Sequence, residues 1–119
     1  LTSVDIDDYE FKKIGEAEAV GEPCYKVEGV KKVGEKVYDK VVFYPRKSDY
    51  FVNRIDFYLD GEFHKFLENH HVKTIDGILT PHKAVMERAD GKGKTELILK
   101  GIKYNIDIDS IKFKKEALR

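Results

Sequence analysis

Arg54-Ile55-Asp56-Phe57-Tyr58-Leu59-Asp60-Gly61-Glu62-Phe63 is the stretch that decides the fold. Ile55 and Phe57 alternate with Arg54, Asp56 and Tyr58. That period of two describes a strand with one apolar face and one mostly polar face. Asp60-Gly61 follows directly, and Asp-Gly between two apolar runs is a strong signal for a tight hairpin. The same grammar extends outward in both directions. Tyr9 to Ile14 is a first β-rich run, closed by Gly15, and Cys24 to Val30 a second, reached through Gly21-Glu22-Pro23. Lys36 to Tyr44 is the third, dense in β-branched and aromatic residues. Phe51 to Leu59 is the fourth and Glu62 to Ile75 the fifth; Asp76-Gly77 gives another hairpin signal before the sixth, Ile78 to Arg88. The turn Ala89-Asp90-Gly91-Lys92-Gly93 leads to the seventh, Lys94 to Tyr104.

No helix-length amphipathic stretch interrupts the first hundred residues, so parallel crossovers have no room. Sequential strands joined by tight turns make an antiparallel meander. The expectation is an all-β chain of about seven strands, forming a curved sheet or half-barrel. One short C-terminal helix, Ser110 to Leu118, would follow Asp109 as its N-cap.

The apolar faces divide by parity. Val41 and Phe43 fall on one side of the third run, Val42 and Tyr44 on the other, so that strand needs cover on both faces or a central place. Ile78, Ala84 and Met86 share a parity with Thr80 and His82. Leu97 and Leu99 share a face, with Ile98 opposite. An apolar sheet face must be covered. With only one short helix in the chain, part of that cover is expected to lie outside these residues.

Composition narrows the function. The 119 residues suit one domain, read here as 1–119. Lys+Arg and Asp+Glu are 22 each, for a net charge of zero. That disfavours a nucleic-acid module built on a basic face, and a polybasic membrane-surface binder. One cysteine excludes an internal disulfide framework and a Cys-cluster zinc site. No apolar run approaches the roughly 20 residues of a membrane-spanning helix. At 41% hydrophobic residues the chain is too apolar for intrinsic disorder. The 37% charged fraction is high and compatible with a thermophilic source.

Chemistry-bearing residues are sparse. His70 and His71 are adjacent and would point to opposite faces of a strand; His64 with Glu68 has helical spacing in a strand segment; His82 stands alone after Pro81. Solvated histidines are therefore the expectation, and no metal is assigned. Cys24 reads as a small half-buried hydrophobe rather than a nucleophile. Asp5-Ile6-Asp7-Asp8 and Asp107-Ile108-Asp109 lack the Gly and bidentate Glu of a calcium loop. Lys31-Lys32 and Lys112, Lys114, Lys115 read as solvated edge lysines. There is no Gly-rich phosphate loop and no G-x-S-x-G elbow, so no cofactor and no enzyme activity are expected.

One family unites these segments. Tyr9-Glu10-Phe11 through Gly15-Glu16, then Gly21 and Cys24-Tyr25-Lys26-Val27-Glu28, resembles a hairpin of the LolA-like outer-membrane lipoprotein-sorting proteins. Lys40-Val41-Val42-Phe43-Tyr44 is similar to a strand of that family, as are Tyr50 and Arg54-Ile55-Asp56-Phe57-Tyr58. Ile75-Asp76-Gly77-Ile78-Leu79-Thr80-Pro81 resembles its turn, followed by Met86-Glu87. Lys94-Thr95 and Ile102-Lys103-Tyr104-Asn105 resemble its next segment, and Ser110 to Leu118 loosely its closing piece. Val52 stands where the family usually has proline, and Leu79 where it has tryptophan, which weakens any aromatic-lined pocket there. Each motif is only a strand plus a turn; the ordered set is the specific feature, and it covers nearly the whole chain.

The resemblance implies the C-terminal half of a longer LolA-like protein, a half-open barrel holding acyl chains in its concave face. The chain starts Leu1-Thr2-Ser3 without an initiator Met, which is expected of a processed or excised piece. The implied function is an extracytoplasmic binding or carrier module for lipid or lipoprotein acyl chains, in the periplasm or cell envelope, with its signal peptide absent from these residues. Ile55, Phe57, Ile78, Met86, Leu97 and Leu99 are the candidate ligand-binding residues. The implied partners are the acyl chain and either an N-terminal half or a second copy meeting an open edge. The alternative is a structural or protein-interaction β-module of a larger envelope protein, without a ligand of its own.

Overall fold

The structure is a computed structural model, and it describes residues 9–31 and 39–98. Seven strands follow in chain order: β1 (Tyr9–Ala19), β2 (Glu22–Lys31), β3 (Lys40–Pro45), β4 (Val52–Leu59), β5 (Glu62–Ile75), β6 (Ile78–Arg88) and β7 (Lys94–Ile98). They form one antiparallel sheet in the order β1-β2-β3-β4-β5-β6-β7. Among the described residues the sheet is curved and unclosed, with β1 and β7 at its two ends. This is the all-β meander that alternation and turn chemistry require. The expected helix at Ser110 to Leu118, the two acidic clusters, and the runs 32–38 and 99–104 lie outside the described residues.

Three of the hairpins close with two residues, both at positive φ: Val20-Gly21 (52° and 74°), Asp60-Gly61 (51° and 80°) and Asp76-Gly77 (52° and 77°). That is the type I′ turn, whose twist matches the flanking strands. Two of the three are the Asp-Gly pairs. The third corrects the sequence reading, because β1 does not stop at Gly15 but runs to Ala19, and Glu22-Pro23 already belongs to β2. The extension is possible because the ladder shifts register between Lys13 and Gly15, so a bulge at Ile14 absorbs one residue. Val20 is a β-branched residue in the left-handed region, where Cβ crowds the backbone.

The connection from β3 to β4 is held by side chains as well as backbone. Arg46 N donates to Phe51 O at 2.8 Å and Tyr50 N to Arg46 O at 2.9 Å. Asp49 Oδ1 accepts from Phe51 N at 3.0 Å. The Arg46 guanidinium meets Glu22 Oε2 at 2.6 Å and donates to Asn53 Oδ1 at 2.7 Å. Asn53 is fully buried and donates to Ala19 O at 3.0 Å. This clasp ties the β1–β2 hairpin to the β3–β4 turn and satisfies polar groups that would otherwise be buried unpaired.

The core lies on both faces of the sheet. Tyr9, Val27, Val41, Phe43, Phe57, Leu67 and Ala84 form the larger cluster; Ala19, Cys24, Val42 and Tyr44 form the smaller. β3 supplies both, Val41 and Phe43 to one and Val42 and Tyr44 to the other, as its two apolar parities demand. It occupies an interior position, with all four of those residues buried.

Candidate functional site

The apolar face is built by cross-strand rows. Val27 pairs with Phe43 and Phe43 with Ile55. Ile55 pairs with Leu67 and Leu67 with Met86. A second row runs Gly29, Val41, Phe57, Lys65, Arg88. Phe57, Val27 and Val41 are completely buried. Full burial of a Phe side chain contributes about 2–3 kcal/mol. Phe11 reaches across β2 to Phe43, with ring centroids 5.6 Å apart. Gly29 makes that crossing possible: a Cβ there would stand 2.8 Å from Phe11 Cε1 and 3.1 Å from Val41 Cγ2.

Five of the six candidate ligand residues share this face. Phe57 sits at the centre of the cluster, and Ile55 and Met86 pack against it half-buried. Ile78 is buried and has the parity of Met86, but lies at the far end of β6, outside that cluster. Leu97 pairs with Ala84 on β7 and is 40% exposed. Leu99 lies outside the described residues. The alternation found the face, but it did not show that the face is tightly filled around Phe57 and exposed at Leu97.

The rim of this face carries cations over rings. Lys31 Nζ stands 5.4 Å from the Tyr9 centroid, and Lys65 Nζ 5.4 Å from that of Phe57. Lys13 Nζ and Lys47 Nζ stand 4.6 and 5.7 Å from the Tyr25 centroid. A cation held over a ring is attracted by the negative face of the ring. Lys31 is therefore not an edge lysine: β2 is an interior strand.

The opposite face holds a polar network that the sequence reading missed. The Tyr44 hydroxyl donates to Asp56 Oδ2 at 2.7 Å, and Arg54 Nε donates to Asp56 Oδ1 at 2.7 Å. Arg54 Nη1 reaches Glu68 Oε2 at 3.3 Å, and His70 Nε2 lies 3.2 Å from Glu68 Oε1. Arg54 also lies over Phe66, at 4.1 Å from its centroid. Burial, followed by the hydrogen bond to Asp56, pushes the Tyr44 hydroxyl pKa above its ordinary value. Burial and then the Asp56 charge do the same for Tyr58. The signal was present as Arg54 and Asp56 two apart on one strand. The partners Tyr44 and Glu68 needed the register.

The remaining candidates stay apart. Cys24 is fully rather than half buried, its thiol pushed up by that burial. It lines an open depression of about 280 Å³ with Glu16, Ala17, Glu18, Pro23 and Lys47. His70 and His71 rings are 6.4 Å apart; His71 sits at φ 52°, and His82 Nδ1 lies 3.1 Å from its carbonyl oxygen. Among the described residues, no three His, Cys, Asp or Glu side chains gather to hold a metal ion. Nor is any described helix long and apolar enough to cross a membrane.

Known proteins share this architecture. A family model described as "Uncharacterized protein" matches residues 1–119. A comparison with curated proteins gives no match. Three solved structures superpose well. A DUF1329 family protein from Desulfovibrio piger has a TM-score of 0.75 at 28% identity, over 95% of this chain and 48% of that one. A domain named for outer membrane lipoprotein sorting, from Vibrio parahaemolyticus, has 0.69 at 22%, over 88% and 48%. A LolA superfamily protein from Nitrosomonas europaea has 0.64 at 21%, over 75% and 41%. The chain has the LolA-like fold and spans about half the length of these structures.

Proposed function

Because the chain belongs to the family whose model spans residues 1–119 and carries the LolA-like fold, we propose that it is an acyl-binding wall of an extracytoplasmic carrier. Its cargo is lipid or the acyl chains of lipoproteins, and it works in the periplasm or cell envelope. The observation that carries this reading is the convergence of Ile55, Phe57, Ile78, Met86 and Leu97 on one face of a curved, unclosed sheet. An alkyl chain needs no directional contact to be held there. Each methylene removed from water contributes about 0.8 kcal/mol. Such binding is graded by chain length and indifferent to fine structure, which suits a carrier rather than an enzyme. Release then requires an acceptor that buries the same methylenes better.

The filled centre around Phe57 and the exposed Leu97 give the cargo a direction. The tail lies along this face, between its Tyr25–Tyr50 end and the solvent-open Leu97 on β7.

Retention of tritiated palmitate by the natural gene product tests the reading. Wild type retains label through gel filtration. Leu97→Asp, at an exposed position, lowers retention about tenfold or more while the far-ultraviolet spectrum is unchanged. Phe57→Asp abolishes retention. Should Leu97→Asp fold and load like wild type, Leu97 does not line the path. Should wild type retain nothing, the interaction-module reading takes over. β7, exposed at all five residues, is the feature that favours it.

A further inference from the structure

We infer that Lys13, Lys47, Tyr25 and Tyr50 form a subsite for the anionic head of an amphiphile whose tail lies on the apolar face. The inference rests on the carrier reading and adds a substrate class to it. Tyr25 on β2 and Tyr50, just before β4, stack with centroids 6.3 Å apart and an interplanar angle of 20°. Both rings pack against the main apolar cluster, so they mark where that face ends. Two ammoniums from different elements converge on the Tyr25 ring: Lys13 from β1 at 4.6 Å and Lys47 from the β3–β4 connection at 5.7 Å.

The positions are set by backbone features that local sequence does not require. The bulge at Ile14 changes which β1 residues face the cluster: Lys13 pairs with Val27 and Glu16 with Tyr25. Lys47 is brought in by the clasp around Arg46, and its own amide donates to Pro23 O at 3.1 Å. Glu16 contacts Lys47 as an ion pair. A carboxylate thus already sits against one of the two ammoniums, which is the chemistry an external carboxylate or phosphate would repeat. Lys13 makes no ion pair with any described residue. A phosphate or carboxylate head bridging the two lysines would gain charge-assisted hydrogen bonds while its tail runs over Tyr25 and Tyr50 into the apolar cluster.

Isothermal titration of the natural gene product with dodecyl phosphate, dodecyltrimethylammonium and inorganic phosphate tests this, below the micelle concentrations. The two detergents share a tail and differ in head charge. Dodecyl phosphate is expected to bind about tenfold or more tighter than the cation at low salt, with the gap shrinking as salt rises. Lys13→Gln/Lys47→Gln should bring the two within about twofold by weakening only the phosphate. Equal binding by wild type, or a preference that survives in the double variant, overturns the subsite and leaves the carrier reading standing. Displacement of dodecyl phosphate by millimolar inorganic phosphate assigns the lysines to free anions and overturns it as well. If neither detergent binds, the carrier reading fails and the subsite fails with it.

Discussion

The two faces of this sheet are built from the same strands and hold together by different physics. One face is mainly apolar side chains, with lysines over the rings of Tyr9, Tyr25 and Phe57. The other places Tyr44, Asp56, Arg54, Glu68 and His70 in a connected polar chain beside Val42 and Phe66. Adjacent residues of β4 show the contrast most sharply. Phe57 is fully buried among carbon atoms, whereas Asp56 is nearly as buried but surrounded by donors. The apolar face tolerates rearrangement as long as volume is kept. The polar face tolerates almost none, because a missing partner strands a desolvated group. On the proposed carrier reading, that division leaves one face to meet cargo while the other fixes strand register beneath it.

The largest effect should come from the apolar side. Phe57→Ala is expected to lower unfolding free energy by about 4 kcal/mol, since it removes a completely buried ring and leaves a cavity. Chemical denaturation measures this directly. A loss of only about 1 kcal/mol would mean that the face collapses easily into the space, and that its centre is looser than the burial suggests.

Asp56→Ala attacks the polar side at its hub. Arg54 and Tyr44 both lose their carboxylate partner. Arg54 keeps Glu68 at 3.3 Å and is 27% exposed, so solvent softens the loss. The expected destabilisation is about 2 kcal/mol, below the range for breaking a fully buried pair. Arg54→Met combined with Asp56→Leu should recover part of it, because neither member of that pair is left stranded, and Glu68 keeps His70. Failure of that rescue would show that the network sets register as well as energy.

How much of this was legible depended on the distance over which each feature is decided. β4, its Asp60-Gly61 turn, and the membership of Ile55 and Phe57 in one face are local, because strand period and turn chemistry act within a few residues. The Val20-Gly21 turn was not legible, since valine is a poor candidate for positive φ and tertiary pairing imposes it there. The bulge at Ile14 hid for a related reason: a one-residue shift leaves no mark in composition, yet it re-aims Glu16 and all that follows on β1. The links from Tyr44 to Asp56 and from Arg54 to Glu68 depend on the β3–β4 and β4–β5 registers, which parity alone leaves open. The candidate ligand face was therefore readable as a set of residues, and its lysine-bordered rim was not.

Gly29→Ala tests whether the apolar face is as closely fitted as its contacts imply. The new methyl would meet the edge of the Phe11 ring and a methyl of buried Val41. Phe11 can swing outward, but only by leaving Phe43. About 1–2 kcal/mol of destabilisation is expected from this overpacking. Gly29→Ala with Phe11→Leu should be milder than the sum of the single changes, because the residues share one volume. Strict additivity in denaturation would place Phe11 elsewhere.

The smallest effect separates the faces by pH. Tyr44→Phe keeps the ring and removes one hydrogen bond; Asp56 retains Arg54 on its other oxygen. The expected loss at pH 7 is about 1 kcal/mol. Because folding raises the Tyr44 pKa, the folded protein keeps that proton where the unfolded chain has lost it. The stabilisation is complete below the unfolded value of about 10 and fades as pH climbs toward the higher folded value. Denaturation midpoints of wild type and Tyr44→Phe should therefore run parallel from pH 7 to 9 and converge above about pH 10. Apolar-face variants such as Phe57→Ala should show no such convergence. A gap that stays constant through pH 11 would mean that the Tyr44 hydroxyl titrates alike in folded and unfolded protein, and that the polar face gains nothing from holding its proton.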